Sequence, residues 1–329
     1  MAKLFVIIPA FNEADTIGSV LEDIPTKLEG VSEVVRVVVD DGSSDDTAKI
    51  ARKTGAVVLR HSYNQGVGTA MATGLTYALK SGADAAVNID ADGQFEAEEI
   101  KALIKPILAG KADLAAGNRF VEGRPPNMPL SKYWGNKLMG RFVSFLIGGR
   151  FQDVSCGFRA YSRNALLNLN LFGKFTYTQE MFIDLSYKGL AIQSVPVKVK
   201  YFKERESKVA GNLWKYGWKT LAIIIRSIVY YQPLKFFAYP GIFLMLIGFG
   251  FVGFLIGHKL FIGSYSPYKA FGFIGGGLAM FGLLLVLIGL LADILDRVRQ
   301  TQEKILYFEK KREYCPTHKG AGLGDRILR

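Results

Sequence analysis

The sequence predicts an α/β domain of the doubly wound type, followed in the chain by two membrane-spanning helices. Short apolar runs alternate with amphipathic stretches through the first 120 residues, and acidic or glycine-containing turns close the runs. Two long segments further on contain no Lys, Arg, Asp or Glu at all.

Residues 4–8, 34–39, 56–59, 85–89 and 113–116 read as strands. They are rich in β-branched residues and lack polar alternation, as strands covered on both faces do. Residues 16–28, 47–53, 68–80 and 96–108 read as the intervening helices, with Ser43 or Ser44 placed to cap the second. A βαβαβ order implies a mostly parallel sheet whose ligands sit beyond the carboxyl ends of its strands.

Pro and Gly break the pattern at residues 122–129, and 130–147 reads as a helix carrying Lys132, Lys137 and Arg141. A second α+β stretch closes near residues 195–201. Residues 214–231 mix Trp214, Trp218, Tyr230 and Tyr231 with Lys215, Lys219 and Arg226, the composition of a helix lying in a membrane interface. Segments 236–257 and 270–292 are each long enough to cross about 30 Å of hydrocarbon. The organisation expected is a catalytic domain at 1–207, interfacial helices at 208–235, two spans, and a charged amphipathic helix with a basic tail at 293–329.

Charge is unevenly distributed. Residues 1–120 are net −5 and residues 121–329 net +17. A nucleic-acid binder places its cations on the folded domain. Here they flank the apolar spans, where they meet anionic headgroups and lipid phosphates. Lys and Arg cluster before residue 235 and after residue 293, whereas the 258–269 connection has only Lys259 and Lys269, so the positive-inside rule places the catalytic domain and both termini in the cytoplasm, at the plasma membrane in a prokaryote. The apolar run beginning at Leu4 is cut by Pro9 and is too short for a secretory signal. Cys156 and Cys315 are far apart with no CxxC partner, which fits a reducing compartment.

The chemistry concentrates at strand ends. Asp90-Ala91-Asp92-Gly93-Gln94 puts two carboxylates on a glycine turn, a set that suits a hard divalent cation completed by water and phosphate oxygens. Gln94 could ligate or orient it. Pro9-Ala10-Phe11-Asn12-Glu13 ends the first strand, and Asp40-Asp41-Gly42-Ser43-Ser44-Asp45-Asp46-Thr47 ends the second. Phe11 offers a stacking face for a base, and Glu13 and Asp41 can accept from base or ribose. The absence of GxGxxG after the first strand argues against a dinucleotide dehydrogenase.

The order PAFNE, VDDGSSDDT, NQGVG, IDADGQF and GFRAY, followed by a terminal hairpin of spans, resembles family 2 glycosyltransferases of the GT-A fold. Within them the chain is similar to the polyprenyl-phosphate group, which includes dolichol-phosphate mannose synthases and bacterial polyisoprenyl-phosphate glucosyltransferases. The resemblance implies a nucleotide pocket lined by Pro9, Phe11, Glu13, Asp41, Asp90 and Ala91. It implies Mg²⁺ or Mn²⁺ held by Asp90, Asp92 and Gln94, and Asp153 near the donor sugar and acceptor; Asp92, Asp153 and Arg159 are the expected catalytic residues. Gln179 and Glu180 fall at the helix start that faces the acceptor.

Candidates for the acceptor phosphate are Arg119, Arg141, Arg159, Arg205 and Lys208, with Arg159 foremost, since guanidinium groups bind phosphate through paired hydrogen bonds. Two positions depart from the family: Val67 stands where a lysine is frequent, and the basic RxxGxSK element is shortened to Arg205-Glu206-Ser207-Lys208. The expected reaction moves a hexose from a nucleotide-sugar (UDP-glucose-like or GDP-mannose) to polyprenyl or dolichyl phosphate at the cytoplasmic leaflet, with inversion. Partners are then the donor, the lipid acceptor and membrane lipids, with no nucleic acid and homo-oligomerisation left open. Rival readings are a membrane-tethered transferase with a non-lipid acceptor and a non-catalytic nucleotide-sugar-binding scaffold. A processive synthase is disfavoured by two spans and the lack of QxxRW.

Overall fold

The structure, a computed structural model, describes residues 1–170, 177–201, 225, 226 and 228–314, apart from the side chains of Tyr177 and Glu180. Arg205, Lys208, Trp214, Trp218 and the tail from Cys315, all singled out above, lie outside the described residues, as does the side chain of Glu180.

In chain order the elements are β1 (Ala2–Ala10), α1 (Ile17–Asp23), β2 (Val31–Asp40), α2 (Thr47–Lys53), β3 (Val57–Arg60), α3 (Val67–Lys80) and β4 (Ala85–Asn88). A 3₁₀ turn at Ala97–Glu99 leads into α4 (Ile100–Leu108), then β5 (Leu114–Asn118), α5 (Leu130–Ile147), β6 (Arg159–Ser162), α6 (Arg163–Asn168), α7 (Tyr177–Tyr187) and β7 (Ile192–Pro196). Two long helices follow, α8 (Pro233–Ile262) and α9 (Lys269–Tyr314).

The strands form one seven-stranded sheet in the order β3-β2-β1-β4-β6-β5-β7. All pairings are parallel except the two made by β6, which runs against both β4 and β5. The doubly wound expectation therefore holds with one reversed strand. Alternate residues of β1 serve the two faces: Leu4, Val6 and Ile8 enter a core with Ile17 and Leu21 of α1 and Ile100, Leu103 and Ile104 of α4. Phe5 meets Tyr77 of α3 edge-on across the opposite face.

Two boundaries differ from the sequence reading. Helix α1 stops at Asp23 because Ile24, preceding Pro25, is forced extended. Neither Ser43 nor Ser44 caps α2; the cap position is Asp46, and Asp45 Oδ1 accepts from the Thr47 amide instead. The serines are occupied in joining loops, as described below.

The chain divides into two units, Met1–Glu206 with Leu306–Arg329, and Ser207–Ile305. In the first, Lys310 Nζ donates to Leu169 O and Asn170 Oδ1, both at 2.8 Å, and Arg163 donates to the Tyr314 carbonyl. In the second, α8 and α9 are each long and apolar enough to cross a membrane, and only 11% of each apolar window is buried. They form the expected candidate hairpin, and no helix break separates the second span from residues 293–314. Gly241 and Gly248 of α8 face Gly282 and Gly275 of α9: a Cβ on Gly248 would lie 2.5 Å from Gly275 O. The small residues thus seat the two spans of one chain against each other.

Candidate active site

The register of the sheet brings the strand-end motifs together. Ala10 pairs with Asp40, and Asp41 N donates to Ala10 O at 2.9 Å. Ile7 pairs with Asn88, and Ile89 N donates to Ile7 O. Phe11, Asp41 and Asp90 therefore leave the sheet side by side.

Hydrogen bonds then stitch the loops. The amides of Asn12, Glu13 and Ala14 donate to Ser43 Oγ, Thr47 Oγ1 and Asp45 Oδ2, and the Ser44 amide donates back to Asn12 Oδ1. Thr16 Oγ1 lies 2.8 Å from Ala91 O and 3.2 Å from Glu13 Oε2, joining the first loop to the acidic turn. Gly42, at φ +76°, permits the approach of a third loop: a Cβ there would lie 2.6 Å from the Tyr63 carbonyl carbon.

Asp41 is largely consumed in holding that third loop. Its carboxylate accepts from the Gln65 amide at 3.0 Å and the Gly66 amide at 2.8 Å, and it lies 2.7 Å from His61 Nδ1. Of about four lone pairs on a carboxylate, this leaves about one for a ligand. Phe11, by contrast, is exposed, and Glu13 and Pro9 are half-buried on the same rim.

The acidic turn is half-exposed at Asp90, Asp92 and Gln94, with Gly93 at φ +69°. Asp92 Oδ1 accepts from the Gln94 amide at 3.0 Å, which aims the turn. Burial, and then the charge of Asp92, push the Asp90 carboxyl up to about 7, with Arg119 and Lys132 working in the opposite direction and Glu13 adding to the rise. Two carboxylates on one turn are oxygen donors of the kind that a hard divalent cation takes. Among the described residues no group of three or more His, Cys, Asp or Glu could hold a metal. A cation here would have to complete its shell with water and phosphate oxygens, as Mg²⁺ does.

Close enough to the acidic turn to act on Asp90 are two cations, the buried Arg119 and the half-buried Lys132. Arg119 is bidentate to Asp153, with Nε–Oδ2 at 2.7 Å and Nη2–Oδ1 at 2.9 Å, and it also reaches Ser155 Oγ and Tyr201 Oη. Burial works against its charge, but Asp153 holds its pKa above the ordinary arginine value. Asp153 in turn is buried. Burial alone would raise its pKa, yet Arg119 keeps it below the usual carboxylate range.

Asp153 also accepts from the Ser155 amide and hydroxyl, so it is an ionised, saturated partner of Arg119 with no spare capacity to act as a base. Lys132, on α5, completes the cluster. Its Nζ lies 5.0 Å over the Tyr201 ring, and burial and then Arg119 lower its pKa while Asp92 and Asp90 raise it. Sequence reading named Lys132 on a helix but gave it no role; its closeness to the acidic turn depends on a loop whose path the spacing does not reveal.

Arg159 requires correction. It is fully buried in β6, and its guanidinium donates to the carbonyls of Cys156, Thr178 and Val154 at 2.6–2.8 Å. Those donors clamp the 154–156 loop to the start of α7 and leave no open face for a phosphate. Arg141 is exposed on the outward side of α5. Gln179 is half-buried and accepts from Thr178 Oγ1. Val67 is exposed at the start of α3.

Residues 5–169 match the model of glycosyl transferase family 2, half of the chain and every loop of the rim just described. The chain belongs to that family. This family 2 glycosyltransferase is 34% identical over 226 residues to a dolichyl-phosphate hexose transferase of Haloferax volcanii, covering 69% of the chain and 92% of the relative. It is likewise 34% identical over 221 residues to a UDP-N-acetylglucosamine–dolichyl-phosphate N-acetylglucosaminyltransferase of Methanococcus voltae, covering 60% and 86%. Its fold is shared with glucosyl-3-phosphoglycerate synthase of Mycobacterium tuberculosis, solved with Mn²⁺, UDP and glucosyl-3-phosphoglycerate, at TM-score 0.53 and 22% identity over 68% of this chain and 80% of that one. The GT-A architecture is thus the one expected.

Proposed function

We propose that this glycosyltransferase moves a hexose from a nucleotide-sugar onto the phosphate of a polyprenyl or dolichyl lipid. The observation that carries the reading is that Arg119 and Lys132 lie close enough to the Asp90–Asp92 turn for their charges to act on Asp90. That is the charge pattern needed to bring two phosphorylated substrates together. The names of the two archaeal relatives, both dolichyl-phosphate transferases, support the acceptor class.

Phe11, Pro9, Glu13, the remaining acceptor of Asp41 and the Ala91 backbone form the nucleoside side of the pocket. Asp90, Asp92 and Gln94 would hold Mg²⁺ or Mn²⁺; when bound, the cation supplies positive charge to the departing diphosphate. Arg119, fixed in place by Asp153, and Lys132 bind the acceptor phosphate. Arg159 acts through the loop it clamps, and Gln179 and Glu180 stay assigned to the acceptor side.

A lipid monophosphate, with a second pKa of about 6, is already anionic near neutrality, so no strong base is required. Its oxygen attacks the anomeric carbon as the bond from that carbon to the nucleoside diphosphate breaks, the electron pair leaving with the diphosphate. Attack in line inverts the anomeric centre. The two spans anchor the enzyme, with catalytic domain and termini in the cytoplasm and the domain boundaries drawn from the sequence.

The test is a panel of radiolabelled nucleotide-sugars incubated with membranes, polyprenyl or dolichyl phosphate and Mg²⁺ or Mn²⁺, then extracted into organic solvent. Acceptor-dependent label in the organic phase with one donor is expected. Label only in water-soluble phosphorylated products would overturn the lipid acceptor.

A further inference from the structure

His61 follows β3 directly, and its amide donates to Asp40 O at 2.9 Å, which carries the imidazole to the flank of Asp41. Nδ1 lies 2.7 Å from Asp41 Oδ1, and Nε2 lies 3.0 Å from Thr73 Oγ1 of α3. Helix α3 is seated hard against the sheet, since a Cβ on Gly74 would collide with Ile7 of β1. The ring is thus held between two fixed partners, with its side chain 10% exposed and that of Asp41 5%. A carboxylate only accepts, so Nδ1 carries a proton, while the Thr73 hydroxyl can donate to Nε2 or accept from it. That Nδ1 proton is present in the neutral ring and in imidazolium alike, so His61 occupies Asp41 Oδ1 in both.

The two oxygens of Asp41 are therefore unequal. Oδ1 accepts from His61 and from the Gln65 amide, which fills its roughly two lone pairs. Oδ2 accepts from the Gly66 amide, which leaves it about one. The neighbouring acceptors do not make up the difference. Asp40 is fully buried and turned to the Ser43 amide and Arg60, and Asn64 Oδ1 accepts from the Gly66 amide.

We infer that His61 sets the nucleobase selectivity of the donor site: by filling Asp41 Oδ1 it leaves one acceptor, which suits a base with a single imide N–H, uracil or thymine, and not guanine. Uracil and thymine present one N–H at N3, between two carbonyls. Guanine presents two adjacent donors, N1–H and the N2 amine, and a carboxylate takes that edge only with an open lone pair on each oxygen. A guanine set on Asp41 would keep one donor unpaired in a buried position, a loss of about ten- to a hundredfold in affinity. His61 is a positioning residue in this scheme, acting on the base through Asp41.

This selectivity rests on the nucleotide pocket proposed above, with Asp41 against the base, and is independent of the acceptor. Calorimetric titration of the full chain in detergent with UDP, dTDP and GDP, each with Mg²⁺, tests it in the native protein, His61→Leu and His61→Asn. UDP or dTDP should bind the native protein at least about tenfold more tightly than GDP. His61→Leu opens a lone pair on Oδ1 and should bring that ratio close to unity. His61→Asn, whose side-chain amide can donate in place of Nδ1, should retain it. A merely structural role would weaken every nucleotide together and leave the ratio alone. Should His61→Leu fail to fold, Thr73→Val, which removes only the far partner of the ring, should narrow the ratio in the same direction.

GDP binding the native protein as tightly as UDP and dTDP would overturn the base assignment, while transfer to a lipid phosphate would still be judged by the extraction assay. An unchanged ratio in the folded variant lacking the imidazole contact would overturn the role of His61. Absence of binding by all three nucleotides would remove the pocket itself, and the selectivity with it.

Discussion

Asp92 and Asp153 are both carboxylates at the site, yet their surroundings assign them different work. Asp92 is half-exposed on a glycine turn two residues from Asp90, and paired carboxylates of this kind suit a hard divalent cation. Replacing it with Asn should cut transfer about a hundredfold or more, comparable to removing one preorganised charge-stabilising group. The midpoint of thermal unfolding should stay unchanged, because no core contact is lost. Asp153 is buried and fully engaged with Arg119 and Ser155. Asp153→Asn should instead cost about 3–5 kcal/mol of stability by stranding a buried guanidinium. Chemical denaturation of the two variants separates these outcomes. The sign of the pH effect follows: because the folded pKa of Asp153 is depressed, its contribution is complete above the unfolded carboxylate value of about 4 and is lost as pH falls through the lower folded value. Acid unfolding should accordingly lose this step in Asp153→Asn.

Among the elements, the α8–α9 pair shows how a single missing methyl group sets packing. Gly248 lies against Gly275 O and Ala279 N, whereas Gly250, two residues on, has nothing within 4 Å of its would-be Cβ. Gly248→Leu should therefore separate the spans and lower thermal stability in detergent, while Gly250→Leu should leave it unchanged. Equal effects of the two would mean that the hairpin is not packed through this seam. The loops after β1 and β2 behave as one element for a related reason: five hydrogen bonds involving their side chains run between the loops rather than within them. Ser43→Ala should raise the donor KM more than it lowers kcat, because it frees the Asn12 amide beside Phe11 without touching the acidic turn.

At the scale of the whole molecule, charge and hydrophobicity are divided along the chain, with an acidic first third and a basic remainder that flanks two apolar spans. If both ends share the cytoplasmic side, Ser264→Cys in the connection should react with an impermeant maleimide from the outer face of intact cells. Lys111→Cys should react only after the membrane is opened. The reverse pattern would invert the topology and place the sugar-transfer site outside.

The sheet was legible because strands buried on both faces read as uninterrupted β-branched runs, and the acidic turn because it follows such a run directly. The sequence by itself thus determined the α/β class, the two long apolar helices and the strand ends at which Phe11, Glu13, Asp41, Asp90 and Asp92 lie. What each polar side chain does was decided only by tertiary structure. Arg159 becomes a buried clamp and Asp153 a saturated partner, Lys132 joins the cluster, and Ser43 ties loops instead of capping a helix. The reason is physical: a run of apolar residues reports its own burial through composition. The role of a charged or hydroxyl group depends on partners tens of residues away, which only the folded register brings within hydrogen-bonding distance.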